Sequence, residues 1–187
     1  MITEIELVKK HYILQQEELV KDEPFLCFDG FGFECAAGWF DLIDQLCTDI
    51  EKELDKNPAM KKKFKIHQIK EKFGSMRFNV GACTEDIMFH IDNAEEKSHH
   101  ICETCGEPGK IYDIRGWCSN YCNKCLNKRL VYLKKETIDS MSQTKYAINK
   151  LSKKKDCTAE ENIELSEAKE WSKICDENLQ EIKELEN

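Results

Sequence analysis

The stretch CETCGEPGKIYDIRGWCSNYCNKC, Cys102 to Cys125, decides how the middle of this chain folds, because it carries two CxxC pairs. Cys102 pairs with Cys105, Cys122 pairs with Cys125, and 16 residues separate the two pairs. A CxxC turn places two thiolates on one side of a knuckle, and four sulfurs at about 2.3 Å satisfy tetrahedral zinc without leaving an open position. The spacing therefore predicts one structural Zn²⁺ per chain, bound by these four cysteines.

Other residues near the two pairs are weaker ligand candidates. Cys118 is a surplus thiol that could replace Cys122, but the CxxC geometry favours Cys122. His99 and His100 precede the first pair at a predicted helix end, where a histidine interacts with the helix dipole and needs no metal. Gly106, the residue after the first pair, suits a knuckle backbone that turns through positive φ.

The cysteine content and the hydropathy bound the cellular location. The chain has 187 residues and eleven cysteines. An odd number of cysteines, with no signal peptide in the starting sequence MITEIELVKKHY, favours a reducing compartment in which clustered cysteines bind metal. No segment approaches the roughly 18 apolar residues that a membrane span needs. We therefore expect a cytoplasmic protein that does not span a membrane.

Upstream of the cysteines, the hydrophobic pattern predicts a small α+β body over residues 1–101. The expected order is a helix, a strand, a helix, a β-hairpin and a final helix. The expected bounds are 1–20 for the first helix (Ile5, Val8, Tyr12 and Leu19 on its apolar side), 25–35 for a strand with a bulge or tight turn around Gly30 and Gly32, 38–57 for the second helix, 64–80 for the hairpin turning at Gly74, and 84–101 for a helix capped by Thr84.

Downstream of the cysteines, residues 126–187 predict a long antiparallel helical hairpin. Apolar residues recur every three or four positions on both sides of the loop SKKKDC, and Thr158 with Glu161 forms a capping box at the start of the second arm. Threonine and serine interrupt the apolar seam, so we expect the hairpin to form a homodimer or to dock on a target protein. The predicted seam is Leu126, Leu130, Leu133, Thr137, Met141, Thr144, Ile148 and Leu151, facing Leu165, Ala168, Ser172, Cys175, Leu179 and Ile182.

The net charge of −8 conceals a split along the chain. Residues 126–155 hold nine basic and two acidic residues, or +7, whereas residues 156–187 hold three basic and eleven acidic residues, or −8. Residues 1–125 carry −7. An acidic body disfavours a DNA-coating protein, because neutralisation of phosphates dominates that affinity. We expect the basic arm to face its acidic partner arm, and nucleic acid is not an expected partner.

A second cluster, IKEKFGSMRF at residues 69–78, supplies candidate binding residues. Phe73 lies in the predicted hairpin turn, and Arg77 is one of only three arginines in the chain. Arg77 either pairs with a nearby carboxylate or recognises an anion or a partner. Together with Trp39 at the start of the second helix, Phe73 and Arg77 are the predicted binding residues. The carboxylates considered for Arg77 are Asp29, Glu34 and Asp41.

Five motifs in order along residues 25–125 resemble those of a known family. They are Gly38-Trp39-x-x-Leu42-Ile43, IKEKFGSMRF, Ala94-Glu95 with Ser98 before CETCGEPG, Gly116-Trp117, and CNKC. In this order they resemble a family of small zinc-ribbon proteins, mostly uncharacterised, that recur in bacteriophage and prophage genomes. The resemblance implies a phage origin and the four cysteine ligands, and it implies no activity. The helical tail after Leu126 lies outside it.

Two functions from different classes fit this sequence. The first is a non-enzymatic phage accessory protein that binds and inhibits a host or anti-phage defence component. The alternative is a nucleic-acid-associated regulator that uses its zinc ribbon and the basic arm. An enzyme with a cysteine nucleophile and a histidine base has no local signature here. The predicted organisation is an α+β body at 1–101, a zinc ribbon at 102–125 and a helical hairpin at 126–187.

Overall fold

The computed structural model describes residues 2–15, 32–154, 156 and 158–186. The chain is a mixed α+β protein, as the hydrophobic pattern predicted. It divides into a first unit of residues 1–125 and a second unit of residues 126–187. Among the described helices, none has the length and apolar character that crossing a membrane requires.

The first unit contains a three-stranded sheet, a two-stranded ribbon and four helices among its described residues. The sheet has the order β1-β2-β3, with β1 parallel to β2 and β3 antiparallel to β2, and the ribbon pairs β4 with β5. The elements are α1 (Glu4–Lys10), β1 (Phe33–Glu34), α2 (Phe40–Lys56), α3 (Pro58–Lys61), β2 (Ile66–Lys72), β3 (Ser75–Val80), α4 (Glu85–Ser98), β4 (Lys110–Ile114) and β5 (Trp117–Tyr121).

The core of the first unit lies between the sheet and the helices. Apolar residues recur along α2 at three- and four-residue intervals; Ile43, Leu46, Ile50 and Leu54 are buried in this core, whereas Leu42 is half-buried. A cap from Thr84 starts α4 as expected, since its hydroxyl accepts the amide N–H of Ile87 at 3.3 Å. The buried side chains of α2, the sheet and α4 include Ile43, Leu46, Ile50, Leu54, Ile69, Met76, Phe78, Ile87 and Ile91.

The first helix is shorter than predicted, and it buries different residues. α1 ends at Lys10, because His11 adopts an extended backbone and its ring nitrogens lie 2.8 Å from Asp44 Oδ1 and 3.0 Å from Glu51 Oε2. The core receives Leu7 and Leu14, whereas the expected apolar residues Ile5 and Tyr12 are exposed. These contacts lie more than 30 positions away in the sequence, so local periodicity gave no sign of them. Residues 16–20 lie outside the described part of the chain.

The expected strand at 25–35 is confirmed only in part. Its described portion contains β1, two residues long, preceded by Gly32 at a φ of +65°. Gly30 and the rest of 25–31 lie outside the described residues. The predicted hairpin is confirmed: β2 and β3 join through Phe73 and Gly74, whose φ values of +53° and +79° match a two-residue type I′ turn.

The outer edge of β3 is covered by side chains from α4. The hydroxyl of Ser98 accepts the Met76 N–H at 2.9 Å, and Glu95 Oε1 accepts the Phe78 N–H at 2.8 Å. Residues three apart on a helix share a face, and N–H groups two apart on a strand point the same way, so the two spacings match. An exposed strand edge invites pairing with other chains, and this capping removes that liability.

The second unit is the predicted helical hairpin. α5 (Asn123–Ser152) and α6 (Ala159–Leu185) run antiparallel, since Lys134 bonds Glu186 at one end and Lys154 bonds Glu161 at the other. The capping box of Thr158 and Glu161 is present at the start of α6. Every residue of the predicted seam is buried or half-buried. The 3–4 periodicity therefore identified the packed faces of both arms.

We predict that Ser98→Ala destabilises the first unit by about 1–3 kcal/mol, because it leaves the buried Met76 N–H without an acceptor. Glu95→Gln keeps an acceptor oxygen for Phe78 and should cost less than about 1 kcal/mol. Amide hydrogen exchange in β2, recorded at increasing urea concentrations, measures the change in the free energy of unfolding for both variants. Ser142→Ala removes a comparable hydroxyl from an exposed site on α5 and serves as the control. Equal stability of the Ser98 variant and this control would contradict the edge-capping role.

Candidate metal centre

Four cysteine sulfurs converge at one end of the ribbon. The Sγ atoms of Cys102, Cys105, Cys122 and Cys125 all lie within 4.8 Å of one another, and those of Cys105 and Cys122 are 3.6 Å apart. Tetrahedral coordination with bonds of about 2.3 Å places sulfurs about 3.8 Å apart. The four residues are therefore arranged to hold a metal ion, and four thiolates are a donor set that zinc favours.

The backbone of the first knuckle shapes this site. The N–H of Gly106 donates to the carbonyl of Cys102 at 2.8 Å, and the N–H of Cys102 donates to the carbonyl of Glu107 at 2.8 Å. Gly106 has a φ of +78°, which confirms the positive value expected after the first pair. Cys122 directly follows β5, and Cys125 lies in the first turn of α5. The ribbon thus carries one ligand pair before β4 and the other after β5.

The electrostatics of the site favour a bound cation. A hydrogen bond from the Cys125 backbone lowers the pKa of the Cys122 thiol to about 7. Burial and the neighbouring thiols raise the pKa of Cys125 to about 12. Like charges at this separation oppose one another's ionisation, so a full set of thiolates needs a compensating positive charge.

The first knuckle is joined to the body at Gly38. The N–H of Gly38 donates to the carbonyl of Glu103 at 2.8 Å, and a β-carbon at Gly38 would lie 2.3 Å from the carbonyl oxygen of Cys102. The carboxylate of Glu103 in turn accepts the N–H of Ala36 at 2.9 Å. Only glycine allows two backbone segments to approach this closely. The Gly38-Trp39 motif therefore positions the metal site.

Trp39 has a packing role in this arrangement. Its side chain is fully buried, and its Nε1 donates to the carbonyl of Ile101 at 3.0 Å, directly before the first ligand. A buried ring offers no surface to a partner, so the structure gives no support to the predicted binding role of Trp39. An indole with its N–H satisfied is a common way to anchor a core next to a polar segment.

Arg77 pairs with a carboxylate other than those considered from the sequence. Its Nη1 donates to the hydroxyl of Ser75 at 2.8 Å and lies 3.6 Å from Glu95 Oε2. Glu34 instead accepts a hydrogen bond from Gln68 at 2.7 Å. Among the described carboxylates, Glu95 thus takes the place of Glu34 and Asp41 beside Arg77, because α4 packs along the edge of β3. Asp41 accepts the N–H of Ile2, and Asp29 lies outside the described residues.

Phe73 occupies the most exposed part of the β2–β3 hairpin. Its ring is 70% exposed, and the Lys72 ammonium lies 5.5 Å from the ring centroid. The N–H of Gly74 donates to Glu71 Oε1 at 2.5 Å and closes the turn. Phe73 and Arg77 therefore lie on the same hairpin, and none of the contacts described for them involves one of the four cysteines.

Sequence reasoning missed Asn120, which is fully buried between the ribbon and the body. Its Nδ2 donates to the carbonyls of Ser98 at 3.1 Å and His99 at 2.7 Å, and its own carbonyl accepts the N–H of Glu103 at 3.1 Å. A single asparagine in a short strand has no periodic signature. Cys118, His99 and His100 do not belong to the four-residue cluster, as expected.

Comparison with known proteins adds no relative: no family model, no curated protein and no solved structure matches the chain. The resemblance to phage zinc-ribbon proteins therefore stays a prediction. What the chain can do rests on its own residues and their arrangement.

We predict that the purified protein contains one metal ion per chain, with zinc as the expected metal. The double variant Cys102→Ser with Cys122→Ser removes one ligand from each pair and should lose it, because two thiolates cannot complete a tetrahedral site. Cys118→Ser is the matched control and should keep one ion per chain. Elemental analysis by mass spectrometry measures all three proteins. Full metal content in the double variant would contradict the assignment of the ligands.

Proposed function

We propose that this protein is a non-enzymatic phage accessory protein that binds a host or anti-phage defence protein in the host cytoplasm and inhibits it stoichiometrically. A structural zinc ion held by the four cysteines stabilises the ribbon. The observation that carries the proposal is Phe73, an exposed aromatic side chain held at positive φ in a tight turn.

Phe73 is an unfavourable residue for this position on two counts. The left-handed backbone region costs a residue with a β-carbon roughly 1–2 kcal/mol, a cost that glycine escapes and that asparagine bears most readily. An exposed phenylalanine ring also forgoes the burial that would otherwise stabilise the fold. Strained residues cluster at sites of recognition, and exposed aromatic side chains are enriched among binding hot spots. Both features support contact between this ring and a partner.

Two cysteines outside the cluster, Cys35 and Cys47, are unsuited to act as catalytic nucleophiles. Burial, with a smaller contribution from neighbouring carboxylates, raises the pKa of Cys35 to about 12 and that of Cys47 well above its ordinary value. A nucleophilic cysteine needs a thiolate near neutral pH. The four clustered cysteines would be saturated by zinc, and a closed tetrahedral site has no position for a reactive water.

We predict that Phe73→Asn weakens binding of the partner by at least tenfold while leaving the fold intact, because asparagine tolerates positive φ and lacks the ring. The bait is the zinc-loaded chain, and the partner is recovered from a lysate of infected host cells and identified at a 1:1 ratio. Titration of that purified partner then measures the dissociation constants.

Phe89→Asn is the matched control, since Phe89 is also an exposed phenylalanine, 64% exposed on α4. This control should bind as the unchanged protein does. Equal affinity of the Phe73 and Phe89 variants for the partner would reject the recognition role of the turn.

The second candidate function, a nucleic-acid-associated regulator, is favoured by basic side chains that lie over aromatic rings. Lys110 Nζ lies 5.0 Å from the ring centroid of Tyr112, the Arg129 guanidinium lies 5.6 Å from that of Tyr132, and Trp117 is 72% exposed. Single-stranded nucleic acid is bound by such combinations of aromatic and basic groups. The net charge of −8 weighs against this function.

We expect duplex DNA to bind more weakly than about 1 μM at physiological salt, the tight end of ordinary non-specific affinity. A mobility shift with duplex and single-stranded probes over a range of salt concentrations tests this. Tight, sequence-selective binding would favour the nucleic-acid-associated regulator over the inhibitor.

We also propose that the hairpin self-associates or contributes to docking. Exposed apolar side chains outside the seam support this, among them Val131, Tyr146 and Trp171. Sedimentation velocity of the full chain and of a chain ending at residue 126 tests it. The same monomeric state for both proteins, with the same affinity for the partner, would reject it.

A further inference from the structure

The turn that carries Phe73 lies directly against the ribbon. A β-carbon at Gly74 would lie 2.8 Å from Cγ2 and 2.9 Å from Cγ1 of Ile111, a residue of β4. Gly74 therefore leaves the space that the Ile111 side chain fills. This contact makes the ribbon a support for the recognition turn.

A second connection runs through hydrogen bonds. The hydroxyl of Ser98 accepts the N–H of Met76, next to the turn, and the carbonyl of Ser98 accepts Asn120 Nδ2 on β5. The backbone carbonyl of Asn120 also accepts the N–H of Glu103, which follows the ligand Cys102. One connection thus joins β4 to the turn at Gly74, and the other joins β5 through Ser98 to Met76, which follows the turn in β3.

The ribbon is the element of this network whose folding we expect to depend on the metal ion. It holds five residues in each strand, and both strands lead at the same end into a cysteine pair. Metal coordination supplies folding free energy to such small elements, which lose their structure when the ion is removed. The body has its own core of α2, α4 and the sheet, so we expect it to keep its fold without the ion.

We infer that metal occupancy controls the conformation of the Phe73 turn: the metal-bound ribbon holds the turn in its binding form through Ile111 and Asn120, and loss of the ion releases it. This inference rests on the proposed zinc site and the proposed recognition role of Phe73. Coupling between two sites is reciprocal and is typically a factor of 5–150 in affinity. Changes at the contacts between turn and ribbon should therefore lower the affinity for zinc.

Amide hydrogen exchange of the full chain, with zinc bound and after treatment with a chelator, tests the inference. We expect the amides of Gly74 and Met76 to exchange at least tenfold faster without zinc, whereas those of Ile43 and Ile50 in α2 keep their protection. Unchanged exchange at Gly74 and Met76 would overturn the inference. Equal loss of protection in α2 would also overturn it, since the effect would then be general unfolding.

Variants of the zinc-loaded protein separate the two connections. Ile111→Ala should accelerate exchange at Gly74, Asn120→Ala should accelerate exchange at Met76, and each should lower zinc affinity about tenfold, as loss of outer contacts does at metal sites. Trp117→Ala, an exposed change on the same ribbon, is the control and should alter neither quantity. Wild-type exchange and zinc affinity in the Ile111 variant would overturn the inference even if the Asn120 variant fails to fold.

The outcomes distinguish this inference from the proposals on which it rests. A chain that binds no zinc removes the proposed metal site. If the chain binds one zinc ion and recognises its partner through Phe73, but the turn stays protected after chelation, only the coupling is rejected.

Discussion

The close approach of Gly38 to the first CxxC knuckle is the constraint on which the first unit depends. A β-carbon at this position would lie 2.3 Å from the carbonyl oxygen of Cys102, so the backbone at the start of α2 can meet the knuckle only through glycine. A ribbon of this size buries too little apolar surface to be stable by itself. Trp39 follows Gly38 in the chain and is buried in the core, so the knuckle is attached to a rigid part of the body.

Ser98 is a second residue that connects the ribbon to the body. This residue both caps the edge of the sheet and attaches the ribbon. Its hydroxyl accepts a hydrogen bond from the Met76 N–H, and its carbonyl accepts one from Asn120 Nδ2. A three-stranded sheet whose first described strand is two residues long gains little from its own ladder. The polar C-terminal end of α4 therefore replaces a fourth strand, and the ribbon is joined to that same end.

The parts of this structure that the sequence predicted are those that depend on local pattern. Apolar residues at three- and four-residue intervals identified α2, α4 and both arms of the hairpin, and the two CxxC pairs identified the four clustered cysteines. The failures involve contacts between distant segments. α1 ends early because His11 reaches Asp44 and Glu51, which are 33 and 40 positions away. Glu95, the carboxylate near Arg77, could be identified only once α4 was known to lie along β3.

The threonines in the seam of the hairpin are compatible with close packing. Thr137 and Thr144 were expected to weaken the packing, yet both are buried and both hydroxyls donate to carbonyls of their own helix, at 2.7 Å from Leu133 and 2.9 Å from Ser140. A satisfied hydroxyl leaves its methyl group free to pack, so these positions do not require a second surface to satisfy them. Exposed apolar side chains outside the seam, such as Val131 and Tyr146, are available to the association that we propose for the hairpin. On the body, by contrast, Phe73 combines a backbone at positive φ with a ring that is 70% exposed and has the Lys72 ammonium 5.5 Å from its centroid, and this combination is why we propose the turn as the recognition site.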